Sequence, residues 1–292
     1  MKKNLFILFL VINVNLFSQE SINKDSLWNT RGNVALLLNQ TGFSNWVGGG
    51  TNNFSGTIKF DYEWEYRNIG WDWLTNLESA YGLAKFKNAP FARKIDDRIL
   101  LQSIIGKEFT KNLSFSAFFN FTSQIGRGYK YIKDSENNEI RELTTQALSP
   151  AYFQLGSGFL WKKSEKLWLN YSPIASRLIM VSKRFTENLR DNQKYFGVEK
   201  SKSSRYELGA NLTFHSEGLL FENINYKQDL KLFSNYLEDA SNIDLDYLVQ
   251  IDFDINPLLS TQLIFQLIYD DNAISRLQVR EVFGVGAQLK LN

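Results

Sequence analysis

A strict alternation of apolar and polar side chains between Phe54 and Arg67 constrains the fold more than any other feature of the sequence. The apolar set consists of Phe54, Gly56, Ile58, Phe60, Tyr62, Trp64 and Tyr66, and polar or charged residues fill every position between them. Successive side chains of a β-strand point to opposite faces, so this segment forms a strand with one apolar and one charged face. On a helix, the same apolar residues would be scattered around the whole circumference.

The same alternation recurs along the rest of the chain. It is clear in residues 113–121, 205–214, 243–255 and 277–291, and it is weaker in seven further segments. We therefore predict twelve strands, many of them longer than the roughly 5–6 residues that are usual in soluble proteins. Long alternating segments suit tilted strands that cross a bilayer.

The predicted connections alternate between short turns and mostly longer loops. The short connections are 68–70, 110–112, 162–166, 215–218 and 256–257, and the longer ones include 40–52, 84–94, 126–149 and 182–202. This arrangement places all turns on one side of a membrane and all loops on the other, as in outer-membrane barrels. Because a sheet in hydrocarbon must close on itself to pair its backbone groups, we predict an all-β fold. It is a closed antiparallel up-and-down transmembrane β-barrel of about twelve strands over residues 30–292.

Aromatic residues cluster beside the predicted short turns. They are Trp64, Tyr66, Trp71, Trp73, Trp161 and Trp168, and they include five of the seven tryptophans. Tryptophan and tyrosine concentrate at membrane–water interfaces. We predict a periplasmic aromatic girdle, with packing in a protein core as the alternative.

An apolar exterior would leave the charged faces of the strands to line the lumen. The lumen-lining candidates are Lys59, Asp61, Glu63, Arg98, Arg205, Glu207, Lys227, Asp229, Asp244, Asp252 and Arg280. A strongly selective pore would concentrate charges of one sign. The mixed signs suit either salt-bridge networks that fill a narrow interior or a weakly selective channel.

The N-terminus has the pattern of a secretory signal peptide. Lys2 and Lys3 precede a short apolar run that ends near Ser18, and the run is too short for a membrane-spanning helix. We predict a cleaved signal peptide at residues 1–18, a periplasmic segment at 19–29 and export to the outer membrane. No cysteine follows that could carry a lipid anchor.

Composition removes several classes of chemistry. The chain has no cysteine and one histidine, which excludes thiolate zinc sites and cysteine nucleophiles. Without Lys2 and Lys3, the 33 basic residues become 31 and match the 31 acidic residues, so no basic excess indicates nucleic-acid binding. Outer-membrane lipid is the predicted partner, and envelope proteins are further candidates.

We predict no catalytic residue, metal or cofactor. Asp96-Asp97 and Asp270-Asp271 lie at the predicted loop end, whereas His215 lies in a predicted periplasmic turn, a barrel length away. Gly48-Gly49-Gly50 is followed by a strand and not by the helix that a phosphate-binding loop requires. A glycine-rich outer loop is the simpler interpretation.

Several motifs, in order along the chain, resemble one family of proteins. They are Phe43-Ser44-Asn45-Trp46, Gly48-Gly49-Gly50, residues 93–98, Ser149-Pro150-Ala151-Tyr152, residues 232–237, residues 267–271 and residues 281–286. Together they resemble a family of Bacteroidota outer-membrane β-barrels that is catalogued only as a domain of unknown function. The resemblance implies a barrel and a compartment, but no activity.

Two functions from different classes remain open at this point. The first is a porin-like channel for small polar solutes. The second is a non-conducting structural or accessory subunit of an envelope assembly, which the aromatic loop residues Phe43, Trp46, Tyr129, Tyr131, Tyr195 and Phe196 favour. An outer-membrane enzyme is a third and weaker hypothesis.

Overall fold

The computed structural model describes residues 27–42, 51–270 and 272–291. The predicted signal peptide, residues 19–26 of the predicted periplasmic segment, the segment 43–50 with Phe43, Trp46 and the three glycines, and Asp271 lie outside these residues. Within them the chain forms a closed antiparallel barrel of twelve strands, which confirms the predicted fold. None of the helical segments described is long and apolar enough to span a membrane.

The described part of the chain contains sixteen strands. In chain order they are β1 (Trp28–Thr41), β2 (Asn53–Asn68), β3 (Trp71–Phe86), β4 (Arg93–Thr110), β5 (Leu113–Ser123), β6 (Gly128–Lys133), β7 (Glu139–Thr145), β8 (Ala151–Ser164), β9 (Leu167–Met180), β10 (Lys194–Tyr195), β11 (Val198–Glu199), β12 (Ser204–Phe221), β13 (Ile224–Asn235), β14 (Ile243–Asp254), β15 (Leu259–Asp270) and β16 (Ile274–Leu291).

Twelve of these strands form the barrel, in the ring order β1-β2-β3-β4-β5-β8-β9-β12-β13-β14-β15-β16, and β16 returns to β1. The other four form two small hairpins, β6–β7 and β10–β11, within the loops at one end of the barrel. A short 3-10 helix at Lys183–Phe185 lies in the same loop as β10–β11. We call this end the loop end, and we call the opposite end, with its short connections, the turn end.

One predicted turn is wrong. The polar sequence His215–Gly218 has the composition of a turn, but β12 continues through it to Phe221. The turn consists of the next two residues, Glu222 and Asn223, before β13 begins at Ile224. The alternation is unbroken, since buried His215 continues the inward series of Asn211 and Thr213.

The two faces of the sheet differ in chemistry. Large apolar side chains are exposed on the outer face, for example Phe115 at 57%, Tyr206 at 55% and Phe283 at 58% exposure. Charged side chains on the inner face are buried, with Lys59 at 4% and Glu207 at 0% exposure. Hydrocarbon is the solvent that matches such an exterior.

Glycines allow unusually close backbone approaches at three places in the barrel. A Cβ at Gly158 of β8 would lie 2.0 Å from the backbone oxygen of Tyr171 in β9. A Cβ at Gly209 of β12 would lie 1.8 Å from the backbone oxygen of Ser234 in β13. A Cβ at Gly286 of β16 would lie 2.1 Å from the backbone oxygen of Leu36 in β1. Close backbone approaches of this kind form corners in β-barrels. The β8–β9 and β16–β1 corners lie on opposite sides of the ring, so β2–β5 form one wall and β13–β15 form the other.

Candidate functional site: the barrel lumen

An ion pair crosses the middle of the lumen. Lys227 of β13 donates a hydrogen bond to Glu78 of β3, with 2.6 Å between Nζ and Oε1. β3 and β13 lie directly opposite in the ring, with five strands between them in either direction. Arg98 of β4 lies 3.6 Å from the other oxygen of Glu78. An eight-stranded barrel is about the size that side chains alone can fill, so direct contact across twelve strands indicates a flattened cross-section. This flattening agrees with the three glycine corners.

Lys59 of β2 forms a second crossing next to the first. Its ammonium donates to the side-chain oxygens of Gln250 in β14, at 3.3 Å, and of Gln262 in β15. Asp252 accepts hydrogen bonds from the amides of the same two glutamines, at 2.8 and 2.6 Å. Asp61, two residues after Lys59, lines the same part of the lumen.

Ionic contacts also link the walls at the turn end. Arg31 of β1 binds Glu63 of β2 and Glu217 of β12, at 2.8 and 3.0 Å. Lys162 of β8 lies 3.2 Å from Glu65 of β2. The Arg31–Glu217 and Lys162–Glu65 contacts reach across five and four strand positions of the ring, so this network also spans the interior.

His215 faces the lumen and not a periplasmic turn, which corrects the predicted position. Its Nδ1 lies 2.7 Å from the Asp229 carboxylate of β13, and its ring stacks on Trp168 of β9 with 5.2 Å between centroids. Asp229 also lies 3.8 Å from the ammonium of Lys227. His215 is therefore linked to the central ion pair through Asp229.

The loop end of the lumen contains two further ion clusters. Arg177 of β9 pairs with Glu207 of β12 and with Asp244 of β14. The guanidinium of Arg205 lies 2.9 Å from Glu207.

The second cluster joins β4 to β16. Arg280 of β16 pairs with Asp96 of β4, and it donates a hydrogen bond of 3.2 Å to Gln266. All eleven lumen-lining candidates therefore lie on the inner face, and they meet in a few ion and amide clusters.

The lumen also contains an apolar cluster that sequence analysis missed. It consists of Ile104, Phe118, Leu160, Trp168, Ala175 and Phe233, with Leu74 packed against it. Trp168 is 5% exposed, so its assignment to the girdle is wrong. The position of Trp168 in β9 carried the correct signal, because it shares a face with Asn170 and Ser172, which are also buried.

The other five predicted girdle residues lie on the outer face near the turn end. Trp71, Trp73 and Trp161 are 45%, 40% and 38% exposed, and Trp64 and Tyr66 are partly buried. Trp28 joins them, with its ring centroid 5.0 Å from that of Tyr66 and 5.7 Å from that of Trp73.

Two cavities occupy the lumen, one toward each end. The turn-end cavity has a volume of about 450 Å³ and is lined by Arg31, Asp61, His215 and Asp254 among others. The loop-end cavity has a volume of about 620 Å³ and is lined by residues such as Tyr152, Lys231 and Phe233. Arg98, which contacts Glu78, borders both cavities. The central crossing therefore lies between them.

Loop residues cover part of the loop-end cavity. Phe196, which follows β10, lines this cavity. Its neighbour Tyr195 donates a hydrogen bond of 2.5 Å to the backbone oxygen of Thr144 in β7. Burial raises the pKa of the Tyr195 phenol to about 12. The phenol therefore stays protonated and able to donate at neutral pH.

No group of three or more His, Asp or Glu side chains among the described residues is arranged to hold a metal ion. The lumen instead offers ion pairs, amides and two cavities of small-molecule size.

Comparison with known proteins gives one partial family match. The model of a family described as a protein of unknown function (DUF3078) matches residues 38–129, from the end of β1 into β6. No curated protein matches the chain.

Several solved structures resemble the barrel at low sequence identity. The translocator domain of the autotransporter NalP from Neisseria meningitidis has a TM-score of 0.40 and 9% identity, with 89% of this chain and 88% of that chain covered. The β domain of the Bordetella autotransporter BrkA has a TM-score of 0.37 and 8% identity, with 90% and 99% covered. The outer membrane channel DcaP of Acinetobacter baumannii has a TM-score of 0.30 and 7% identity, with 90% and 97% covered.

Proposed function

We propose that this chain is an outer-membrane β-barrel that does not conduct in its resting state and that serves as a structural or accessory component of the envelope. The observation that carries the proposal is the contact between Glu78 and Lys227, because it joins opposite strands in the middle of the lumen. A continuous water path would have to pass this pair and the neighbouring Lys59 crossing.

The outer face supports the membrane location. Exposed apolar side chains and a turn-end girdle suit a lipid-facing surface. Closure of the sheet leaves no strand edge across most of its height, as hydrocarbon requires. The partial family match and the motifs noted above support membership of the Bacteroidota barrel family, and an export signal at residues 1–18 is part of the same proposal.

A porin-like channel, the first expectation from the sequence, differs from this proposal in one physical respect. It needs a continuous aqueous path, whereas here ion pairs and an apolar cluster fill the interior between two cavities. An enzymatic role is not proposed, because the histidine and its neighbours are held by one another inside the barrel.

Planar-bilayer recording tests the proposal. We expect the folded wild-type barrel to show no unitary conductance, and we expect the triple variant Lys59→Ser/Glu78→Ser/Lys227→Ser to show discrete openings, because the side chains of both central crossings are shortened. Lys290→Ser, at the exposed turn-end rim, is the control and should behave like the wild type. Stable open channels in the wild-type protein would contradict the proposal.

A further inference from the structure

The seam between β1 and β16 is paired over only part of its length. Register partners run from Gly32↔Leu291 to Leu38↔Val285. β1 continues to Thr41, and β16 extends back to Ile274. Within the described residues, Asn39 of β1 and Gly284 of β16 do not pair with each other. Asn39 pairs with Ser55 of β2, and Gly284 pairs with Gln262 of β15. The two strands therefore separate above Leu38, in the half of the barrel toward the loop end.

A cleft of about 230 Å³ lies where the strands separate. Leu38 and Asn39 of β1 line one side, and Phe283 and Gly284 of β16 line the other. Its inner part is formed by Ile95, Asp96 and Arg280, and the same three residues line the loop-end cavity. The cleft thus meets the cavity at the Asp96–Arg280 ion pair.

The outer mouth of the cleft is amphipathic. Leu38 and Phe283 are 46% and 58% exposed on the outer face. Glu281 lies on the same outer face and lines the cleft, and no ion-pair partner for it occurs among the described residues. An ionisable side chain that faces the membrane is costly unless water or a polar group reaches it, so the mouth combines a carboxylate that requires a polar partner with apolar walls.

The loop-end cavity contains a lysine that lies beside an apolar wall and has no ion-pair partner among the described residues. Lys231 of β13 lines it, and no described residue forms an ion pair or hydrogen bond with its ammonium. Phe233, two residues further on the same inner face, is 4% exposed and forms part of the wall. Most other charges of the cavity are already paired, such as Arg177 with Asp244. Lys231 is therefore the group most available to a ligand.

From these observations we infer that the cleft is a lateral portal, through which a single-chain amphiphile with an anionic head group passes between the membrane and the loop-end cavity. The chain of the ligand lies against Leu38 and Phe283, and its head group binds Lys231. The inference relies on the membrane location in the proposed function, but not on closure of the lumen, because the portal opens above the central crossing.

Photo-crosslinking tests the portal. The probe is palmitate with a diazirine on its chain, in liposomes that contain the folded protein, and labelled residues are mapped by mass spectrometry. We expect labels on inner-face residues of the loop-end cavity, such as Phe233, in addition to the outer face. Labels confined to the outer face would overturn the portal and leave the membrane location intact, whereas a complete absence of labels would count against the membrane location.

A variant in which the seam is closed by a disulfide distinguishes entry of the ligand through the seam from its entry through the loops. The native chain has no cysteine, so a disulfide in Asn39→Cys/Gly284→Cys joins the first unpaired positions. Inner-face labelling should be lost in the oxidised protein and return on reduction. Leu36→Cys/Ala287→Cys joins positions that already pair and should leave labelling unchanged. Persistent inner-face labelling of the locked protein would overturn lateral entry.

Two single substitutions make the test independent of disulfide formation. Asn39→Phe fills the cleft from an exposed position and should abolish inner-face labelling. Lys231→Gln should weaken competition by unlabelled palmitate, whereas Lys290→Gln should not. If Lys231→Gln left this competition unchanged, the assignment of the head-group site would be wrong.

Discussion

Replacing Lys227 by methionine is expected to lower the free energy of unfolding by about 3 kcal/mol, the low end of the range for breaking a buried ion pair. The substitution keeps the length of the side chain but removes the charge that Glu78 contacts at 2.6 Å. Glu78 is only 9% exposed, so its carboxylate would remain in the lumen with Arg98 at 3.6 Å as its nearest cation. Asp229 would lose a cation as well.

Equilibrium unfolding in urea, followed by tryptophan fluorescence in detergent micelles, measures this loss. Lys290→Met is the matched control, because Lys290 is 69% exposed and lies 4.0 Å from its partner Asp254. Exposed pairs of this kind contribute about 0–1 kcal/mol. Equal stabilities of the two variants would show that the central pair is not buried.

Gly209→Val is expected to prevent the barrel from folding. The first side-chain carbon would lie 1.8 Å from the backbone oxygen of Ser234 and 2.8 Å from its carbonyl carbon. Both atoms belong to the backbone of β13, which pairs with β12 through this region, so neither can move without breaking the ladder. Overpacking of a well-packed core, where side chains can still shift, costs about 1–3 kcal/mol, and a clash with paired backbone costs more.

Far-UV circular dichroism after refolding into micelles measures the outcome, with loss of the β-sheet spectrum as the expected result. Gly42→Ala is the control, because a Cβ there meets no atom within 4 Å, and it should fold like the wild type. Normal folding of Gly209→Val would contradict the sharp corner between β12 and β13, and with it the flattened barrel.

The strands and the two faces of the sheet were predictable from the sequence, because an alternation with a period of two indicates both the strand and the face of each side chain. The alternation over Phe54–Arg67 corresponds closely to β2, which covers Asn53–Asn68. A lipid-facing side and a wet side alternate residue by residue, so the pattern identifies the strand and the inward charges together.

Composition and alternation disagree at two places, and alternation is the better guide at both. The polar residues around His215 have the composition of a turn, but His215 and Glu217 continue the inward series of β12. Trp168 lies near a turn, as the girdle residues do, but it shares the inward face of Asn170 and Ser172. Counting in steps of two along each strand gives the observed face of both residues.

The contacts across the lumen could not be predicted from the sequence. The pairing of Glu78 with Lys227 depends on how far apart β3 and β13 lie, and that distance depends on the bends at Gly158, Gly209 and Gly286. A circular barrel with the same strands would keep the inward charges apart. The cleft between β1 and β16 likewise depends on register, which alternation alone does not determine.

A double-mutant cycle on Glu78 and Lys227 tests the central claim, contact between opposite walls of the barrel, most directly. The unfolding free energies of the wild type, Glu78→Gln, Lys227→Met and the double variant give the coupling between the two side chains. Direct contact predicts a coupling of about 1–3 kcal/mol, whereas separated side chains would be additive to within about 0.5 kcal/mol. Additivity would mean that Glu78 and Lys227 do not meet, and it would contradict the contact between opposite walls.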